Sequence, residues 1–334
     1  MTTGARADQE AGPRAASRTA AACALAICWL CVAGGPGARA DAWQPAPGHR
    51  QVPIWPGAVP DAARSTAPET TAVVSNLVAG KPWVAVERVA QPTMTVYPAR
   101  GKNTGVAVVV FPGGGYKVLA IDLEGTEVCD WLASRGITAV LLKYRVPDSG
   151  PHWDEDCRCH KDASVPVALE DAQRTVGLVR ARAAEWKVDP HKIGVLGFSA
   201  GGHLVADVST HWVKRAYRAV DAADEQSCRP DFAVALYPGH MLEHQTAEFE
   251  LNPTLPVTAQ TPPTFLCQAV DDRVDVVRNS LVYYLALYKV GVPVELHLYP
   301  SGGHAFGLRR TRAAITRWPE LVETWLGTIG IISK

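Results

Sequence analysis

The sequence has 334 residues, of which 47% are hydrophobic and 20% are charged, and its formal net charge is zero. This composition is typical of a folded globular protein and excludes a disordered or fibrous chain. The neutral balance and the absence of blocks of like charge argue against nucleic acid or an anionic membrane as a partner.

The first 40 residues have the pattern of a secretory signal peptide. Arg6, Arg14 and Arg18 precede an apolar run at 20–33, and Ala38-Arg39-Ala40 follows it. The run is shorter than the roughly 20 residues that a membrane span needs. We therefore expect cleavage after Ala40, a secreted or periplasmic protein and no membrane attachment after cleavage. An uncleaved membrane anchor is the alternative.

Cysteine usage depends on this export, because an exported protein folds in an oxidising compartment. Five of the eight cysteines follow residue 40, so at least one of them stays unpaired. Cys267 lies in an apolar run, and we expect it to be a buried free thiol. Cys157 or Cys159 could instead bridge to Cys228, although the sequence does not determine the connectivity.

The rest of the chain divides into an N-terminal segment and one large domain. Residues 41–90, rich in proline and alanine at their start, are predicted to be an extended lead-in, and residues 91–334 form the catalytic domain. Apolar periodicity in this domain predicts strands at 92–97, 106–111, 138–143, 193–198, 232–237, 264–269 and 294–298, and helices at 124–135, 166–186, from 200, 275–290 and 315–326.

This alternation of strands and helices predicts an α/β fold with a mostly parallel central sheet and helices on both faces. The strand at 106–111 is apolar at every position, which is typical of a strand buried on both faces.

The strongest chemical motif is Gly197-Phe198-Ser199-Ala200-Gly201, which follows a predicted strand and precedes a predicted helix. A G-x-S-x-G sequence in this setting predicts a tight turn that exposes the serine hydroxyl above the sheet. The N-terminus of the following helix favours a negative charge at the same place. We therefore predict that Ser199 is a nucleophile.

A serine needs a base, and in this arrangement the acid and then the histidine follow it along the chain. His304 lies in a glycine-rich loop after the last predicted strand, where the base is expected. Asp271 and Asp272 follow the strand at 264–269, and adjacent side chains seldom point the same way. We choose Asp271, which is closer to the strand end and begins a D-x-x-V pattern. Asp272 is then expected to cap the turn or the next helix.

The sequence Pro112-Gly113-Gly114-Gly115-Tyr116 follows the buried strand at 106–111. Its glycines allow backbone N–H groups to approach a substrate oxygen, so Gly114 and Gly115 are predicted to form an oxyanion hole together with the N–H of Ala200. Tyr116 is expected to line the substrate pocket or else to pack locally. A phosphate-binding loop is disfavoured because the Lys-Ser/Thr pair is missing.

The polar segment 146–164 contains a Cys157-Arg158-Cys159-His160 sequence but lacks the second Cys/His pair that a zinc site needs. We therefore expect neither a metal nor a cofactor. The segment is interpreted as a loop over the active site, with Trp153 as a substrate contact.

Together, these glycine-rich loops, the serine motif and the sequences Lys143-Tyr144-Arg145 and Gly302-Gly303-His304-Ala305-Phe306-Gly307 resemble those of bacterial α/β-hydrolases grouped with acetylxylan and feruloyl esterases. The resemblance implies an α/β-hydrolase fold and hydrolysis of short acyl esters through an acyl-enzyme, without a metal. It also implies substrates such as acetyl or feruloyl groups on plant polysaccharide.

Two other classes of function are weighed against this interpretation. A serine peptidase of the prolyl-oligopeptidase type shares the fold and residue order, but too few residues precede the first strand for its usual N-terminal propeller. A non-catalytic binding protein would be favoured by a missing serine, acid or histidine, and none is missing. The acyl length, the alcohol moiety and the oligomeric state are not determined by the sequence.

Overall fold

The computed structural model describes residues 42–62, 67–146, 153–154, 159–160, 166–242 and 249–333. The predicted signal peptide lies outside the described residues, as does most of the predicted loop at 146–164.

Strands and helices alternate along the described chain. The strands are β1 Gln51–Pro53, β2 Thr70–Val78, β3 Lys81–Glu87, β4 Thr93–Tyr97, β5 Ala107–Phe111, β6 Val118–Ala120, β7 Thr138–Lys143, β8 Trp153–Asp154, β9 Cys159–His160, β10 Ile193–Phe198, β11 Phe232–Leu236, β12 Thr264–Ala269 and β13 Val294–Tyr299. The α-helices are α1 Glu127–Ser134, α2 Pro166–Ala181, α3 Ala200–Thr210, α4 Arg278–Lys289 and α5 Trp318–Thr328. Among the described residues, none of these helices combines the length and apolar character that a membrane span requires.

The central sheet has eight strands in the order β1-β4-β7-β5-β10-β11-β12-β13. The pairs β1–β4 and β4–β7 are antiparallel. The remaining neighbours in this sheet order, from β7 through β5, β10, β11 and β12 to β13, are parallel to one another. Every residue of β5, β7, β10, β11 and β12 is buried, because helices cover both faces of the sheet centre. The predicted α/β fold with a mostly parallel sheet is confirmed.

Several helix boundaries differ by a few residues from the predicted ones, including the starts predicted at 124 and 275. The helix predicted from 275 begins at Arg278, because Asp272 Oδ1 accepts the N–H groups of Val274 and Asp275 and holds a turn there. The helix predicted from 124 begins as a π-helical turn at Asp122–Thr126 before α1.

The predicted lead-in contains regular structure that its composition did not indicate. Strand β1 joins the edge of the central sheet, with Val52 opposite Met94. Strands β2 and β3 form an antiparallel hairpin, which pairs through β3 with β6 in a separate three-stranded sheet. The hairpin was missed because β2 is largely exposed, so no apolar alternation marks it.

Cys129, Cys228 and Cys267 are buried free thiols. The prediction for Cys267 is confirmed. Cys228, for which a bridge to Cys157 or Cys159 was the other possibility, is a free thiol. The Cys228 thiol donates instead to the carbonyl oxygen of Trp212, with an Sγ–O distance of 3.5 Å.

Candidate active site

Ser199 occupies the single residue between the end of β10 and the start of α3. Its backbone has φ 52° and ψ −120°, a strained conformation for a residue with a side chain. The neighbouring glycines make the turn sterically allowed, because a Cβ on Gly197 would lie 2.1 Å from the carbonyl oxygen of Gly201. The turn therefore lifts the serine side chain to the carboxyl edge of the sheet, as the sequence predicts.

The glycine loop after β5 lies directly beside this serine. A Cβ on Gly113 would be 2.9 Å from the Cβ of Ser199, and Gly114 and Gly115 have φ values of 132° and 62°. Within the described residues, the N–H groups of Gly114 and Gly115 donate no hydrogen bond. Ala200 begins α3, so its N–H also lacks a partner in the preceding turn. These N–H groups suit a substrate oxyanion.

His304 lies between the serine and an aspartate. Its Nε2 is 2.9 Å from Ser199 Oγ, and its Nδ1 is 2.7 Å from Asp272 Oδ2. The side chain of Asp272 is fully buried, and 12% of the histidine side chain is exposed. The three side chains thus form a continuous hydrogen-bonded line from a hydroxyl through an imidazole to a buried carboxylate.

The choice of Asp271 as the partner of His304 is corrected by this geometry. Asp271 is exposed, and its Oδ1 accepts the N–H groups of Gly302 and Gly303 at 2.9 and 2.8 Å. Asp272 points inward, where its Oδ2 contacts the imidazole while its Oδ1 holds the turn after β12. Both aspartates therefore support the histidine, one through the loop backbone and the other through the ring.

The electrostatic environment favours a charged imidazole. Burial lowers the pKa of His304, but the hydrogen bond and charge of Asp272, with the charges of Asp275 and Glu124, outweigh it and raise the pKa to about 9. The imidazolium formed when the ring takes a proton is therefore strongly stabilised.

A further carboxylate, Asp275, reaches the serine. Its Oδ2 accepts the Ser199 hydroxyl at 3.2 Å and is 3.7 Å from Nε2 of His304. Burial raises the pKa of Asp275 to about 6, although the charge of His304 and the serine hydrogen bond oppose the rise. The sequence placed Asp275 only at a helix start. Its spacing of three residues from Asp272 was the signal that could have indicated a position near the site.

Glu124 is a buried carboxylate beneath the glycine loop that sequence reasoning also missed. Its Oε2 accepts the N–H of Gly113 at 2.8 Å, and its Oε1 accepts the hydroxyl of Tyr237 at 2.8 Å. The Tyr237 oxygen in turn accepts the N–H of Gly307, in the histidine loop, at 3.0 Å. Glu124 therefore connects the glycine loop to the histidine loop. Burial raises its pKa against the opposing hydrogen bonds of Tyr237 and Gly113.

Tyr116 does not line an open pocket. It is 1% exposed, and its hydroxyl is 2.7 Å from Nδ1 of His203, which lies one turn after the serine on α3. Burial lowers the pKa of His203, so this pair is expected to be neutral. The tyrosine packs locally, which is the second of the two roles expected for it.

No group of three or more His, Cys, Asp or Glu side chains is arranged to hold a metal ion in the part of the chain that the structure describes.

Comparison with known proteins identifies the family. A family model described as BD-FAE matches residues 96–236. The acetyl ester-xyloside bifunctional hydrolase from Caldicellulosiruptor lactoaceticus is 33% identical, with 85% of this chain and 97% of that chain covered and a TM-score of 0.64. The chain belongs to the α/β-hydrolase superfamily.

Two further relatives define how far the similarity extends. An acetylxylan esterase of Xylanibacter ruminicola is 32% identical over 225 residues, which are 61% of this chain and 42% of that protein. This chain therefore spans less than half the length of that relative. Esterase 2 of Thermogutta terrifontis shares the fold at 21% identity, with a TM-score of 0.62 over 86% of this α/β-hydrolase and 96% of that chain.

Proposed function

We propose that this α/β-hydrolase is a serine carboxylesterase that removes short acyl groups, above all acetyl groups, from acylated carbohydrate. The proposal is carried by the hydrogen-bonded line from Ser199 through His304 to Asp272. The base is thereby within hydrogen-bond distance of both the nucleophile and the acid, which is the arrangement that acyl transfer requires.

In the proposed mechanism, Ser199 Oγ bonds to the ester carbonyl carbon while His304 Nε2 takes the hydroxyl proton. The carbonyl oxygen becomes an oxyanion that the N–H groups of Gly114, Gly115 and Ala200 stabilise. The bond to the alcohol then breaks, and Nε2 returns the proton to the alcohol oxygen. Water attacks the acyl-enzyme by the same route and releases the acid.

The role of Asp272 in this sequence is to hold the imidazole as the Nδ1–H tautomer and to stabilise the imidazolium. Its short contact with Nδ1 and its complete burial support this assignment.

The substrate class is supported by two relatives. One is an acetylxylan esterase and the other an acetyl ester-xyloside bifunctional hydrolase. The names of both relatives therefore include an acetyl ester and a xylan or xyloside as substrates. Feruloyl esters are the second class to test, because the motifs also resemble those of feruloyl esterases.

The decisive experiment compares wild-type protein with Ser199→Ala on p-nitrophenyl acetate, acetylated xylo-oligosaccharides and methyl ferulate. We expect wild-type activity on the two acetyl esters and a loss of at least about 10³-fold in the variant, with an unchanged melting temperature. Ser209→Ala, a buried serine of α3 away from the turn, is the matched control. Full activity of Ser199→Ala would refute the assignment of the nucleophile, and a wild-type protein that hydrolyses none of the three esters would refute the esterase.

We also propose that the protein is exported and cleaved after Ala40, on the signal-peptide pattern of residues 1–40. N-terminal sequencing of the protein recovered outside the cytoplasm tests this. The expected mature N-terminus is Asp41, and a full-length cytoplasmic protein would contradict export.

A further inference from the structure

Asp275 is a buried carboxylate that the Ser199–His304–Asp272 line does not need. Its side chain is 5% exposed, and its Oδ2 contacts both the serine hydroxyl and the edge of the imidazole. Burial of a charged carboxylate is unfavourable unless the carboxylate is paired and hydrogen-bonded. Its two neighbours here are the reacting groups, so any charge on it affects their chemistry.

The fold places this carboxylate across the serine from the oxyanion loop. Asp275 follows β12, two strands from β10 on one side, whereas the glycine loop follows β5 on the other side. Gly239, after β11, packs against it so closely that a Cβ there would lie 2.4 Å from Asp275 Oδ1. The N–H of Gly239 also contacts the Ser199 carbonyl oxygen at 3.3 Å. The loops around the serine therefore fix the position of the carboxylate.

The protons on Ser199 and His304 show how Asp275 affects the imidazole. The Ser199 hydroxyl carries one proton but has two acceptors, Asp275 Oδ2 at 3.2 Å and His304 Nε2 at 2.9 Å. When the hydroxyl donates to an ionised Asp275, the contact with Nε2 is favourable only if Nε2 carries a proton. Since Nδ1 also donates to Asp272, the ring is then an imidazolium and cannot act as a base.

We propose that Asp275 holds the Ser199 hydroxyl in the resting enzyme and sets the pH above which His304 can act as its base. The inference rests on the proposed function, in which these two residues are nucleophile and base. The negative charge stabilises the imidazolium in the resting state and again in the transition state, so it yields a stronger base that works at alkaline pH.

Other charged groups around the imidazole act in the same direction. His304 faces Asp272 and Asp275 from the loop after β12 and Glu124 from the turn before α1, while the ring of Tyr237 packs against it with centroids 4.9 Å apart. Among these carboxylates, Asp272 is committed to Nδ1, and Glu124 to Gly113 and Tyr237. Asp275 is the one that contacts the serine hydroxyl, so its removal tests the effect of charge on the Nε2 side.

The test uses diethyl p-nitrophenyl phosphate, which reports the reactivity of the serine without a natural substrate. Ser199 Oγ bonds to phosphorus, the bond to the aryl oxygen breaks, the hydroxyl proton passes to His304, and p-nitrophenolate is released. The rate of inactivation is measured from acidic to strongly alkaline pH for wild type, Asp275→Asn and Asp275→Ser. Asp130→Asn, at a half-exposed carboxylate paired with Arg100, is the matched control.

We expect the wild-type rate to rise with a midpoint near pH 9, since deprotonation of His304 frees the base. Both Asp275 variants should shift this midpoint down by at least about one pH unit, because a negative charge next to the imidazolium is removed. NMR titration of the His304 ring should show the same shift without any reaction, and Asp130→Asn should superimpose on wild type.

An unchanged midpoint in folded Asp275 variants, or an unchanged His304 titration, would overturn the inference and leave the esterase proposal standing. A wild-type protein that never reacts with the phosphate ester would overturn both. A normal inactivation profile without acetyl-ester hydrolysis would refute only the proposed substrate class.

Discussion

The carboxylate of Asp271 accepts the N–H of Gly303 at 2.8 Å, one residue before the imidazole that contacts Asp272. Neighbouring aspartates thus fasten the same histidine, Asp271 through the backbone of its loop and Asp272 through the ring. This division of roles leads to a direct mutational comparison.

Asp272→Asn should reduce kcat by about 10³–10⁴-fold, because an amide at this position favours the wrong imidazole tautomer. Asp271→Asn is the matched substitution one residue away, where an amide oxygen can still accept the loop N–H groups, so we expect a loss of less than about tenfold. Steady-state kinetics on p-nitrophenyl acetate and thermal melts of both variants measure the effect. The reverse order of losses would restore Asp271 as the acid.

Glu124→Gln tests whether the buried carboxylate positions the oxyanion loop. A glutamine can accept from only one of Gly113 N–H and the Tyr237 hydroxyl, so the loop should shift. We expect kcat to fall by about 10–100-fold with little change in KM, since small displacements of an oxyanion donor weaken transition-state binding most. Glu323→Gln, a partly exposed carboxylate on α5, provides the control. A change confined to KM would argue for a role in substrate binding instead.

Gly113→Ala probes the close contact between the glycine loop and the serine turn. The added Cβ would lie 2.6 Å from the carbonyl oxygen of Phe198 and 2.9 Å from Ser199 Cβ, so backbone must move. We expect a loss of about 1–3 kcal/mol in the free energy of unfolding and at least about a 100-fold loss of kcat. Urea unfolding and esterase kinetics test this. Gly57→Ala, where a Cβ meets nothing within 4 Å, should change neither quantity.

Cys228 should carry a free thiol in the purified protein. Its Sγ donates to the Trp212 carbonyl, and burial raises its pKa, so the native thiol should resist alkylation. Iodoacetamide without reductant should label Cys228 in denatured protein and leave it unlabelled in native protein, as read by peptide mass spectrometry. A Cys228 peptide that appears only after reduction would demonstrate a bridge.

The sequence alone determined the fold and most of the site, because these features depend on local pattern. Apolar runs bounded by turn residues placed β7, β10 and β12 at their observed ends. The glycines around Ser199 are required by a turn in which any side chain would collide with backbone, so they are visible as a motif. His304 was likewise marked by its glycine loop after the last strand.

Only the tertiary structure decided which carboxylates face the imidazole. Asp271 and Asp272 follow the same strand and differ in which way the turn directs them, and Glu124 and Asp275 come from separate segments that meet only in the folded protein. Side-chain direction in an irregular turn is set by hydrogen bonds to distant loops, which no periodicity records. The physical reason is that local spacing specifies secondary structure, whereas proton-transfer distances depend on how separate elements pack.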